Sequence, residues 1–237
     1  MSAGRTARER VRAELIAEIT GIAKKQLATD GAAGLSLRAV AREMGMASSA
    51  IYRYFPSRDD LLTALIIDGY DALGAAVERA DDAVRGARPD AFGERWLAVC
   101  RAVRAWALAH PHEFALLYGS PVPGYRAPQD TVAAALRDTR VYARIVTEAH
   151  AAGALEPLGP CPPAPAALAG DMGRIREGVR LDVPDDVAAR AVTAWSGLFG
   201  TVSFELFGTF NNTIMDGAAY FDHSMALLGR LVGLAAP

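Results

Sequence analysis

The segment from Ser48 to Phe55 carries the most specific chemistry in this sequence. Ser48, Ser49, Tyr52 and Arg53 alternate there with Ile51 and Phe55, which lie four residues apart and suit the buried side of a helix. Arg53 presents a planar fork of N–H donors, the one side chain of the stretch able to donate bidentately to a flat partner such as the outer edge of guanine. Ser48 and Ser49 are short, permissive hydrogen-bonding residues. Nearby, Tyr54, Arg58 and Arg38 offer donors for phosphate oxygens. The Ser36 hydroxyl could do the same, although it equally suits a helix cap. All of this is recognition by hydrogen bonding; none of it makes or breaks a bond.

Such side chains must be held outward by their elements. Ala41, Gly45 and Ile51 have the types and spacing of a helix-turn-helix: a small residue where two helices touch, a turn residue tolerating positive φ, and an apolar anchor on the second helix. On that triplet alone an ordinary helical hairpin fits equally well. Around it, Val11, Leu15, Ile19 and Ile22 predict a long amphipathic helix from Thr6 to about Asp30, stopped by Gly31. Ser36 caps a short helix with Leu37, Val40, Ala41 and Met44 on one face, Gly45 closes it, and a third helix runs from about Ala47 to Tyr54. Ser57 and Asp60 form a capping box for a fourth, ending near Val84.

Farther on, Trp96, Val99, Val103, Trp106 and His110 step by three and four into a fifth helix that Pro111 ends. A short helix at Glu113–Tyr118, one continuous helix from Gln129 to Ala152, one from Pro184 to Phe207 and a last from about Asp216 to Leu234 complete the pattern. Residues 153–165 hold five prolines (Pro157, Pro160, Pro162, Pro163 and Pro165) and read as a loop. With alanine at about a fifth of the chain and no alternating apolar period, the fold class is all-α.

The 237 residues suit one or two domains. Net charge is -2 with 22% charged residues, which excludes a polyelectrolyte and a uniformly basic nucleic-acid coat. Residues 1–60 nevertheless carry 10 Lys and Arg against 7 Asp and Glu, so any affinity for nucleic acid is local and N-terminal. No apolar run reaches the length of a membrane span, and the first residues lack the pattern of a signal peptide, so a soluble cytoplasmic protein is expected. Cys100 and Cys161 form neither a disulfide framework nor a metal pair. His110 and His112, with His150, His223 or the cysteines, could in principle bind metal, but a histidine at a helix end also satisfies terminal carbonyls. No nucleophile–base or paired-carboxylate motif points to an enzyme, and no cofactor is implied.

The order GLSLRAVAREMGMASSAIYRYFPSRDDLL, from Gly34 to Leu62, resembles the TetR family of bacterial transcriptional regulators, most of all in Ile51, Tyr52, Tyr54 and Phe55 followed by Ser57, Arg58 and Leu61. The resemblance implies a DNA-binding domain over residues 1–58, with Ser36, Arg38, Ser48, Ser49, Tyr52, Arg53, Tyr54 and Arg58 on double-stranded operator DNA. One position departs from the family pattern. Ala47 stands where a Ser or Thr usually caps the second helix, which forgoes about 1 kcal/mol unless Ser48 takes over and becomes less available to bases.

The resemblance further implies a ligand-binding and dimerisation domain over residues 59–237, whose last two helices pair with those of a second copy. The apolar stripes Leu198, Val202 and Leu206, and Phe221, Met225 and Leu228, are the candidates for that interface. The stretch AWSGLFGTVSFELFG from Ala194 to Gly208 resembles a C-terminal domain with a Trp-His-Gly signature, except that Phe199 stands where the His is expected. Trp96, Trp106, Phe114, Tyr118, Tyr142, Met172 and Trp195 could line a cavity for a small hydrophobic effector, or simply fill the core. The expected function is a homodimeric repressor that such an effector releases from a palindromic operator.

Overall fold

The computed structural model describes residues 7–156, 159 and 161–235. Among them every regular element is helical and no strand occurs, so the all-α reading holds. The helices are α1 (Ala7–Gly34), α2 (Leu37–Glu43), α3 (Ser48–Ile51), α4 (Arg58–Arg85), α5 (Phe92–Ala109), α6 (Pro111–Tyr118), α7 (Val132–Ala135), α8 (Arg137–Ala151), α9 (Ala169–Val179), α10 (Asp185–Leu206) and α11 (Gly217–Val232).

Local chemistry accounts for most of the boundaries. Gly31, at φ 68°, breaks the helical dihedrals of α1 one residue after the expected end. Ser36 caps α2, its Oγ accepting from the Ala39 N–H at 3.4 Å. Ser57 and Asp60 make one half of the expected capping box at the start of α4: the Asp60 N–H donates to Ser57 Oγ at 3.1 Å, while Asp60 Oδ2 accepts from that hydroxyl at 2.7 Å in place of the Ser57 N–H. Asp216 caps α11 through the Ala219 N–H at 2.9 Å.

Four expectations need correction. Helix α3 is only four residues long, with 52–54 continuing as turns. The single helix over 129–152 is a 3-10 turn (Gln129–Thr131), α7 and α8, bent at Leu136, whose dihedrals (φ -90°, ψ -1°) lie between helix and turn. Helix α9 has no counterpart in the sequence reading: its three glycines and two buried residues, Met172 and Val179, give no clear helical period. Pro184 is the N-cap of α10, not its first helical residue. Thr6, Pro157 and Pro160 lie outside the described residues.

The chain divides into two compact units, Met1–Gly69 with His112–Thr131, and Tyr70–Pro111 with Val132–Pro237. The division falls inside α4, not at residue 58, and the first unit recruits a later segment. Packing explains this: Leu116, Val122 and Tyr125 pack on the core of Ile19, Val40, Ile51, Phe55, Leu61 and Leu65. Lys24 pairs with Glu113 at 3.2 Å and with Asp68 at 3.6 Å, and the Thr63 and Tyr125 hydroxyls share a hydrogen bond of 2.9 Å.

In the second unit α5 packs on α10 and α11. The Trp96 indole N–H donates to the Met225 carbonyl at 2.8 Å, and Gly229 makes room for it, since a Cβ there would lie 2.9 Å from Trp96 Cδ1. Arg101 with Asp222 and Arg104 with Glu205 brace the same helices in bidentate pairs. The fully buried Arg95 guanidinium meets the fully buried Asp81 carboxylate at 2.7 Å and also donates to Glu148 Oε2 and the Pro89 carbonyl. Arg144 approaches Asp81 from outside, so this buried carboxylate has two countercharges.

Candidate nucleic-acid interface

The turn between α2 and α3 is built as the triplet requires. Ala41 and Ile51 are fully buried, Gly45 adopts φ 66°, and the Met46 N–H donates to the Ala41 carbonyl at 2.9 Å. This leaves Ser48, Ser49, Tyr52 and Arg53 exposed together on α3 and the turn after it. Ala47 is the N-cap and makes no side-chain capping bond, and Ser48 is the first helical residue, so its hydroxyl does not cap the helix. Arg38 is exposed on α2.

The remaining site candidates have different surroundings. Arg58 is turned inward: Nη2 donates to the Ala32 carbonyl at 2.6 Å and Nε to the Leu35 carbonyl at 3.3 Å. A guanidinium so engaged clamps the end of α1 and the turn that leads into α2. Ser36 works in the same turn, capping α2 while its N–H donates to the buried Gln26 side chain at 3.2 Å. Tyr54 is half-buried, and the Arg12 guanidinium sits 5.3 Å above its ring. Gln26 and Arg12 carry no sequence signal for these roles, because their partners lie far along the chain or across a turn.

The expected interface stripes of the last two helices do not face outward. Leu198, Val202, Phe221 and Met225 are buried within the chain, and Leu206 and Leu228 are half-buried. The large apolar groups left exposed on and beside these helices are Phe204, Phe207, Met215, Tyr220 and Leu227. Within α10 the exposed large apolar residue is Phe204 and within α11 they are Tyr220 and Leu227, each off the buried face of its helix, while Phe207 and Met215 lie beyond the helix ends.

The effector candidates divide between the two units, with Phe114 and Tyr118 in the first and the others in the second. Trp96, Trp106, Phe114, Tyr142 and Met172 are buried. Trp96 meets Tyr142 edge to face at 5.8 Å, while Phe199, buried, lies 5.1 Å from the half-buried Trp195. The Trp195 indole nitrogen is buried and has no hydrogen-bond partner among the described residues. Both cysteines are free thiols, and burial pushes that of Cys100 well up. Among the described residues no group of His, Cys, Asp and Glu is placed to hold a metal ion, and no helix is long and apolar enough to cross a membrane.

A helix-turn-helix with a polar outer face, followed by a larger helical unit, defines the class of helix-turn-helix DNA-binding proteins. Residues 19–65 match the family described as bacterial regulatory proteins, tetR family, and residues 96–228 match the tetracyclin repressor-like C-terminal domain. The chain is 39% identical over 224 residues to the HTH-type transcriptional regulator Rv1816 of Mycobacterium tuberculosis, covering 93% of each protein. The crystal structure of SCO4313, described as a regulatory protein, superposes with a TM-score of 0.76 at 36% identity, over 94% of this chain and 98% of that one. A protein of unknown function from Rhodococcus sp. RHA1 follows at TM-score 0.64 and 31% identity, over 89% and 93%. The chain belongs to the TetR family: it is a DNA-binding transcriptional regulator and not an enzyme.

Proposed function

We propose that this regulator is a repressor that binds a near-palindromic operator as a homodimer and leaves it when a small hydrophobic effector binds among the helices of its second unit. The observation that carries the reading is the pairing of one very short reading element, α3, with an outward apolar surface on α10 and α11. One four-residue helix touches too few bases to find a site in a genome, so two must act together. Phe204, Phe207, Met215, Tyr220 and Leu227 supply the surface through which a second copy would pair.

On the operator, Arg53 and Tyr52 read base edges, with Ser48 and Ser49 as adaptable partners, while Arg38 and Tyr54 hold phosphates. Ser36 and Arg58 keep the turn beneath α2 in place. In the second unit Trp195 is the first choice for contact with effector, because its buried N–H lacks a partner. An effector that favours the DNA-incompetent state by about 1–3 kcal/mol weakens operator binding some five- to 150-fold.

Selection of bound sequences from a random duplex library, followed by titration of the winner at two salt concentrations, tests this reading. A palindromic winner with steep salt dependence supports it. A folded dimer that enriches no sequence, with or without candidate effectors, overturns it.

A further inference from the structure

A groove of about 640 Å³ runs between α4, α8 and the end of α9, and four arginines line it: Arg137, Arg140, Arg144 and Arg180. The acids in its lining are Glu78, Asp82 and Glu148. Each acid already has its cation. Glu78 takes a bidentate pair from Arg137 at 2.6 and 2.8 Å, which holds its carboxyl below the usual range. Asp82 meets Arg144 at 3.4 Å, and Glu148 is shared between Arg85 and the buried Arg95 at 2.8 and 2.7 Å. Arg140 and Arg180 make no ion pair with any described residue, and both are exposed.

We propose that this groove binds a small polyanion, one carrying two or more carboxylate or phosphate groups, through the guanidinium groups of Arg140 and Arg180. Two unengaged forks in one concavity suit the planar or tetrahedral oxygens of such a ligand, and the paired acids around them add little repulsion. Backbone placement supports the role. Arg180 closes α9 in the left-handed conformation (φ 59°, ψ 48°), its N–H bonded to the Arg176 carbonyl, a position where glycine is the easier residue. Thr147, also in the lining, accepts the Asp182 N–H at 3.0 Å, which leaves its hydroxyl proton free to donate. The site lies wholly in the second unit and is distinct from the base-reading surface of α3.

Isothermal titration of the full chain without DNA, using inorganic pyrophosphate and citrate as probes, tests the proposal. Three proteins are compared: the native chain, the double variant Arg140→Gln with Arg180→Gly, and a control pair Arg38→Ala with Arg53→Ala. Glycine suits the φ of residue 180, so the groove variant keeps its backbone. Saturable binding by the native chain and the control, weakened about tenfold or more in the groove variant, is the expected result. The stronger of the two probes then distinguishes a phosphate from a carboxylate ligand. Absence of saturable binding with both probes overturns the proposal. So does loss of binding in the control with none in the groove variant, which would place the anion on the DNA-reading arginines. Failure to bind any operator bears on the proposed function and leaves this titration independent.

Discussion

The Arg58 guanidinium donates to the carbonyl oxygen of Ala32 at 2.6 Å, tying the start of α4 to the last turn of α1. A second bond, to the Leu35 carbonyl, makes it a clamp across 23 residues of sequence. Hydrogen bonds from a charged donor contribute about 1.5–3 kcal/mol, so Arg58→Ala should destabilise the first unit by that amount. Urea unfolding measures it. The slope of operator affinity against salt should stay unchanged, because a guanidinium facing carbonyls releases no counterion on binding. A shallower slope would return Arg58 to the phosphate contacts.

Arg53→Ala should cost about 1–3 kcal/mol on the true operator and relax base preference at one position in each half-site. Arg38→Ala should instead weaken all sequences alike. Repeating the library selection with each variant separates the two. An unchanged base preference in Arg53→Ala would assign recognition to Tyr52 and the serines.

For the second copy, Phe204→Glu and Leu227→Glu should each yield a folded monomer by sedimentation, because both groups are exposed in the single chain. Leu198→Ala should behave differently. It empties a fully buried site, costs about 2–5 kcal/mol of stability and leaves the stoichiometry intact.

Asp138 is buried, and among the described residues it has no ion-pair partner and one of its carboxyl oxygens has no hydrogen-bond partner. Burial pushes this carboxyl up to about 6 from an ordinary value of 3.8. The folded chain therefore holds the proton more tightly than the unfolded one. The contribution is fully present below about pH 4 and is lost as pH rises toward about 6, leaving a penalty of about 3 kcal/mol at higher pH. Glu78 and Asp222 act in the opposite sense: arginine hydrogen bonds hold them low, so their contribution disappears as pH falls. Urea midpoints of Asp138→Asn against the native chain isolate the first effect. The variant should be the more stable at about pH 8 and lose that advantage near pH 4. A native chain more stable at both values would mean that the carboxylate has a stabilising partner.

Most of the local structure was legible along the chain. Gly31, Gly45, Ser36 and the Ser57 and Asp60 pair act through groups within four residues of themselves, so spacing alone placed the helix-turn-helix and its exposed Tyr52 and Arg53. The short length of α3 was not legible, since the same spacing suits a helix or a run of turns. Helix α9 was missed because its buried face is only Met172 and Val179, too few to set a period.

Sequence by itself therefore determined the helical class, the position of the DNA-reading turn and the family. Tertiary structure alone decided which side of each helix looked inward. Leu198 and Phe204, six residues apart and so on different faces of α10, are equally apolar, yet one is buried and the other half exposed. Helical periodicity sorts residues onto faces, but where apolar residues fall on more than one face the neighbouring helices decide which face becomes core. Arg58 and Arg53 pose the same question in charge: both are N-terminal arginines, and only the proximity of the Ala32 and Leu35 carbonyls commits one of them to the fold, leaving the other exposed.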